Sequence, residues 1–381
     1  MLYLDHAATS PVRPEVLEAM HPFLTGVYGN PSSHHTVGEA ASEALEWARG
    51  RVAAALGMRA SEVIFTSGGT EANNLAVKGI VLGARREDAW RHGLITTPIE
   101  HESILGSAEY LHRLHDVEVT LLPVDDHGSV AVDDLRTALD HTDAALVSVG
   151  HANNEIGTVQ DVTGLVAVAR ERGVPVHVDA VQSAGWLDLR ALGADAVSIA
   201  GHKLGSPKGI GAVGVRSRVP LEPLLHGGAQ ERGRRSGTEN VAGAVGLATA
   251  LDLVEVERVQ NAAVVAAQTA AFIAAVRDAV PRAALTGSAD RRLPNLASFT
   301  FAGTSGEAVL LELERRGVVS SSGSACAAGS DEPSPVLLAT GIPPEVAQTS
   351  VRFTFARTPL PDGAAHHIAR LVADAVAAVC R

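Results

Sequence analysis

The chain has 381 residues, of which 46% are hydrophobic and 19% charged; this excludes a disordered chain and allows two domains, or one large α/β domain with a smaller one attached. A formal net charge of −12 argues against direct, charge-driven binding of nucleic acid or an anionic membrane, although Arg232, Arg234 and Arg235 could form a local basic patch. Cys326 and Cys380, the only cysteines, cannot build a disulfide framework or a zinc cluster, so a reducing, cytoplasmic setting and no metal are expected.

The start of the chain lacks a basic stretch followed by an apolar one, so no secretory leader is read. Pro14 to Leu24 has proline near a helix start and apolar residues at helical spacing. The turn-rich loop from Tyr28 to His35 is either a plain connection or one that brings two histidines to a site. A longer helix runs from Val37 to about Leu56, with Gly57 as its C-cap.

Glu62 to Thr66 reads as a strand that breaks into Ser67-Gly68-Gly69-Thr70, and a helix follows from Glu71 to Val81. Strand, glycine-rich turn and helix start can gather backbone N–H groups around a phosphate. The same turn can also be a plain connection capped by Thr70. A second strand, Gly93 to Thr97, delivers His101 to the strand end where open α/β sheets bind ligands. There it is either a helix-start hydrogen-bonder or a catalytic group.

Further strands run from Ala144 to Val149, leading into Asn153-Asn154-Glu155, and from Val174 to Val178, leading into Asp179-Ala180-Val181-Gln182. A helix over Val162 to Arg172 lies between them, a βαβ repeat. Asp179 is read either as an N-cap or as the partner of a buried cation at the ligand-facing edge. A fifth run, Ala194 to Ala200, ends in Gly201-His202-Lys203. Lys203 stands out because only Lys78, Lys203 and Lys208 among the 31 basic residues are lysines. A lysine amine can lose its proton and form a Schiff base with an aldehyde, while a guanidinium stays protonated.

After a strand at Ala212 to Val215, the polar, glycine-rich stretch from His226 to Thr238 is expected to be a functional or interface loop. Two alanine-rich helices are expected between Val241 and Val280, where charged residues such as Asp252, Glu257 and Arg277 argue against a membrane span. From Ala297 onward short strands at Ser298–Phe301 and Val351–Phe355, with helices between and after them, mark a second, α+β domain. The stretch from Ser320 to Ser330 holds only small residues around Cys326, which suits an accessible nucleophile.

Over essentially its full length the chain resembles the NifS- and IscS-like cysteine desulfurases, pyridoxal-phosphate enzymes of the class V aminotransferase superfamily. The matching motifs occur in order: Tyr3 to Thr9, Gly29 to Ser33, Ser67 to Glu71, Glu100-His101, Asn153 to Gly157, Asp179 to Gln182, Gly201 to Lys203, Arg235 to Thr238, the cysteine loop, and Val351 to Phe353. The resemblance implies fold type I, with a large domain (12–255) built on a mostly parallel sheet flanked by helices. A smaller α+β domain (1–11 and 256–381) would carry the cysteine loop.

It also implies pyridoxal 5'-phosphate held covalently by Lys203, with Asp179 keeping its pyridine nitrogen protonated. Gly69, Thr70 and His202 would hold the phosphate, joined by Thr238 from the other subunit of a homodimer. His101 would stack on the ring and move protons, Lys203 would also act as the base, Asn154 and Gln182 would bind ring substituents, and Arg352 would take the carboxylate of L-cysteine, with Asn154 also contacting the substrate. Cys326 would receive the sulfur as a persulfide, for an acceptor protein in iron–sulfur cluster, tRNA thiolation or DNA phosphorothioation pathways. Ala200 departs from many relatives, which have serine or threonine there. The competing readings are a selenocysteine lyase or aminotransferase of the same superfamily and a non-catalytic sulfur-carrier scaffold.

Overall fold

Seven short strands pair into one sheet, and the segments between them supply the helices that cover it. In the computed structural model, which describes residues 1–88, 90–322 and 332–380, the first half of the chain forms β1 (Leu2–Tyr3), α1 (Pro14–Thr25), α2 (Thr36–Leu56), β2 (Val63–Thr66), α3 (Gly69–Glu87), β3 (Gly93–Thr96), α4 (Glu102–His115), β4 (Glu118–Leu121), α5 (Val132–His141), β5 (Ala144–Gly150), α6 (Val162–Glu171), β6 (Val176–Asp179), β7 (Ala196–Ala200) and β8 (Gly211–Val215). The remainder forms α7 (Val241–Ala279), β9 (Ala283–Leu285), β10 (Leu296–Phe301), α8 (Gly306–Arg315), β11 (Val318–Val319), α9 (Pro335–Ala339), α10 (Pro344–Ala347), β12 (Ser350–Thr354) and α11 (Ala364–Val379).

The large sheet has the order β2-β8-β7-β6-β5-β3-β4. Only β8 runs antiparallel to its neighbours, so the carboxyl ends of β2, β3, β5, β6 and β7 share one edge. Helices cover both faces: Val63 and Phe65 join the core under α1, α2 and the start of α7, while Ile64 between them joins the core under α3 and α4. Burial on both faces explains why these strands read as continuous apolar runs and not as alternating ones.

A second core gathers around the antiparallel sheet β12-β10-β9. There Phe272 of α7 meets Phe353 and Phe355 edge-on, with ring centroids 5.2 and 5.4 Å apart, and each such pair adds ~1 kcal/mol beyond its buried area. The two helices expected between Val241 and Val280 are one 39-residue helix. Beyond Gly246 nothing in that stretch breaks a helix, and alanine and valine continue the turn. By length and composition α7 could cross a membrane, yet its two halves pack into the two cores, through Leu247 and Leu251 in one and Phe272 and Val276 in the other.

Candidate active site

The shared strand edge opens on a cavity of about 420 Å³. Each strand end delivers one part of its wall. After β2 the chain reverses at Gly68, whose φ of 154° excludes side chains, and α3 begins at once with Gly69. Thr70 therefore does not cap this helix: Gly68 occupies the N-cap position, and no side chain caps the helix there. The first backbone N–H groups of α3, at Gly69 and Thr70, line the cavity, where an anion would complement them and the helix dipole. A Cβ on Gly69 would lie 2.8 Å from Val181 Cγ2 and 3.2 Å from the Ala200 Cβ, so only glycine brings the backbone this close.

From β6 comes Asp179. Its Oδ1 accepts from the Val181 N–H at 2.9 Å and its Oδ2 from Asn73 Nδ2 at 2.7 Å, so the turn-capping role and the cavity-facing role coexist in one carboxylate. From β3 comes His101, which caps α4 through Nδ1, accepting from the Ser103 N–H at 3.0 Å, and also lines the cavity. From β7 come His202 and Lys203. Burial first, then the charges of Lys203 and Lys208, lower the His202 pKa to about 4, so this imidazole is neutral and offers an N–H donor at physiological pH.

The floor is the N-terminal segment. Lys203 Nζ donates to the carbonyls of Ala7 and, at 2.8 Å, of Ala8, and Gln182 Nε2 donates to Ala7 O at 3.0 Å. That segment is fixed in turn by the Ala7 N–H bond to Thr354 Oγ1 at 2.9 Å. On the side of the smaller sheet, Arg352 of β12 is 1% exposed. Its Nη1 donates to Asn154 O and its Nη2 to Asp5 Oδ1, both at 2.8 Å.

Gly69, Thr70, His101, Asn154, Asp179, Gln182, His202, Lys203 and Arg352 thus converge on one cavity. Thr238 does not line it; it is exposed on the loop before α7. Cys326 lies outside the described residues. No residue from Tyr28 to His35 lines the cavity, and His35 instead caps α2 by accepting from the Gly38 N–H. Sequence reading gave no role to Asn73, Ser103 or Glu100, which line the same cavity. Burial, aided by the charge of Asp179 and opposed by hydrogen bonds from Thr97 and the Gly150 amide, pushes the Glu100 carboxyl up to about 7.

The aminotransferase class-V family matches residues 2–359. The cysteine desulfurase IscS of Dictyoglomus turgidum is 44% identical over 355 residues, covering 93% of this chain and 89% of that protein. Among solved structures, a NifS-like protein superposes with a TM-score of 0.89 at 33% identity, covering 99% of both chains. SspA in complex with cysteine superposes with a TM-score of 0.81 at 34% identity, covering 94% of this chain and 100% of that one.

Proposed function

The chain belongs to the class-V aminotransferase family and is a pyridoxal-phosphate-dependent cysteine desulfurase, and on that premise we propose how its residues divide the work. The observation that carries the proposal is the convergence of an amine, Lys203, a carboxylate, Asp179, a neutral histidine, His202, and an uncapped helix start on one cavity of about 420 Å³. This donor set fits pyridoxal phosphate: the α3 N-terminus and His202 suit a phosphate, Asp179 suits a protonated ring nitrogen, and glycine at 69 lets the start of α3 pack directly against Val181 and Ala200. When bound, the cofactor supplies an aldehyde that condenses with amines and a ring that withdraws electrons from the substrate α-carbon.

The chain's own residues do the rest. Lys203, held by the Ala7 and Ala8 carbonyls, would anchor the cofactor, and its Nζ would serve as the base for the substrate α-proton. Arg352 orients the L-cysteine carboxylate. Asn154 and Gln182 would bind the ring substituents, and His101 would lie against the ring and move protons. The thiolate of Cys326 attacks the substrate sulfur: the new S–S bond forms as the Cβ–S bond breaks, and the carbon keeps the electron pair and takes a proton to give alanine. Sulfur then leaves the Cys326 persulfide for an acceptor protein.

Thr238, exposed on its own chain, reaches the phosphate of a second copy in a homodimer. The large part of the chain (12–255) and the smaller part (1–11 and 256–381) act as two domains joined through α7. A cytoplasmic setting suits the free thiol.

The test is incubation of the reconstituted protein with L-cysteine and a thiol reductant, with alanine and sulfide quantified together. Equal yields are expected, and Cys326→Ala should keep the cofactor colour but lose sulfide release. Undiminished sulfide release from that variant would remove Cys326 from the mechanism.

A further inference from the structure

A chain of hydrogen bonds runs along the cavity wall and links two of its groups that are far apart in sequence. Asn73, on α3 and 1% exposed, places Nδ2 2.7 Å from Asp179 Oδ2 and 2.9 Å from Ser103 Oγ. Ser103 Oγ lies 2.8 Å from His101 Nδ1, which also receives the Ser103 backbone N–H at 3.0 Å.

The direction of each bond follows from the groups themselves. A carboxylate only accepts, so the Asn73 atom facing Asp179 is its NH₂, and the two hydrogens of that group go to Asp179 and to Ser103. The Ser103 hydroxyl, already accepting from Asn73, turns its own proton toward His101. A backbone N–H only donates, so His101 Nδ1 must be the acceptor of both Ser103 donors, and the proton of the neutral ring sits on Nε2. In this orientation Asn73 Oδ1 is buried without a hydrogen-bond partner among the described residues. Flipping the amide would turn that oxygen toward the Asp179 carboxylate, so the unpaired carbonyl is the cost of keeping the donor where it is.

We infer that Asn73 and the Ser103 hydroxyl are positioning groups that tie His101 to Asp179 and, together with the Ser103 backbone N–H, hold the imidazole in its Nε2–H tautomer. His101 then meets its ligand as an Nε2–H donor, and proton abstraction is left to Lys203. This rests on the desulfurase reading for what His101 acts upon, but not for the tautomer itself.

The test is ¹⁵N NMR of the histidine ring nitrogens in the full chain, with and without pyridoxal phosphate, with the His101 signals assigned by His101→Gln. The wild type should show an unprotonated Nδ1 and a protonated Nε2, and Ser103→Ala and Asn73→Ala should each introduce a population protonated at Nδ1. Ser103→Thr, which keeps the hydroxyl, should restore the wild-type pattern. In turnover, Ser103→Ala should lower kcat about tenfold with KM for L-cysteine unchanged within about twofold, because a lost alignment acts on proton transfer and not on carboxylate binding.

A wild-type Nδ1–H tautomer, or a tautomer that neither alanine variant alters, overturns the inference. Because the tautomer is read without turnover, failure of the desulfurase reading looks different: no alanine forms while the ring pattern stays as described.

Discussion

Arg352 Nη2 donates to Asp5 Oδ1 at 2.8 Å, so the guanidinium proposed to receive the substrate carboxylate is already paired with a carboxylate of its own chain. The pair is sequestered, with side-chain exposures of 2% for Arg352 and 16% for Asp5. An incoming carboxylate must therefore share a partly neutralised cation. Asp5→Asn is expected to lower KM for L-cysteine several-fold. Arg352→Lys, which replaces a planar fork by a point charge, should raise KM about 100-fold, corresponding to ~3 kcal/mol of lost charged hydrogen bonding. Steady-state kinetics on both variants checks this, and an unchanged KM in Arg352→Lys would place the substrate carboxylate elsewhere.

Glu100 gives the site a pH signature in the cofactor-free protein. Its carboxyl is buried, receives the Thr97 hydroxyl at 2.7 Å, and has its pKa raised from 4.5 to about 7 by that burial. The folded state therefore holds a proton that the unfolded chain releases. The associated stability is fully present below pH 4.5 and is lost as pH rises through about 7, a change on the order of 3 kcal/mol. Glu100→Gln keeps the shape and removes the titration. In urea unfolding at pH 5 and pH 8, the variant should gain on the wild type at pH 8; an equal fall in both proteins would mean that Glu100 is not the titrating group.

What was legible in the sequence follows from how local each cause is. The boundaries of α2 could be read because Gly57 adopts φ 63° and ends the helix by itself. The strand-end placement of His101, Asp179 and Lys203 was legible because continuous apolar runs stop just before them. β4 escaped notice because it is an edge strand with both ends exposed and no apolar run. The Asp179–Asn73–Ser103–His101 linkage could not be read at all, since Asn73 and Asp179 are 106 positions apart and only the packing of α3 against the sheet joins them. The helix α7 is one and not the expected two because no residue near its middle stops the turn, and its length bridges the two cores.

The loop proposed to carry Thr238 into a neighbouring site is tied down by a buried ion pair. Arg49 Nη1 meets Glu231 Oε2 at 2.6 Å with both side chains at 3% exposure or less, and the same carboxylate oxygen accepts from the Phe65 N–H at 3.2 Å. Around it Ala229, Glu231 and Arg232 all adopt positive φ, at 60°, 49° and 59°. Glu231→Ala leaves Arg49 buried without this partner and should cost ~3–5 kcal/mol. Ala229→Gly removes one strained side chain and should stabilise by about 1 kcal/mol. Urea midpoints decide both, and a Glu231→Ala loss under ~1 kcal/mol would show that the loop does not depend on this pair.

Ala200 is where cofactor affinity can be raised. It ends β7, with Gly201 between it and His202, lines the cavity beside Gly69 and Thr70, and brings a methyl group where a hydroxyl could donate to an anion at the start of α3. A hydrogen bond to a charged group contributes ~1.5–3 kcal/mol. Ala200→Ser should therefore tighten pyridoxal phosphate binding about tenfold, the lower end of that range, because the serine must also fit beside Gly69. Measured in a Lys203→Ala background, where covalent attachment cannot mask the difference, absorbance titration gives the two dissociation constants directly. Ala200→Val, which adds bulk without a donor, serves as the control and should bind no better than the parent. Equal affinities for the serine and alanine forms would move the phosphate away from this strand end, and with it the roles proposed for Gly69, Thr70 and His202.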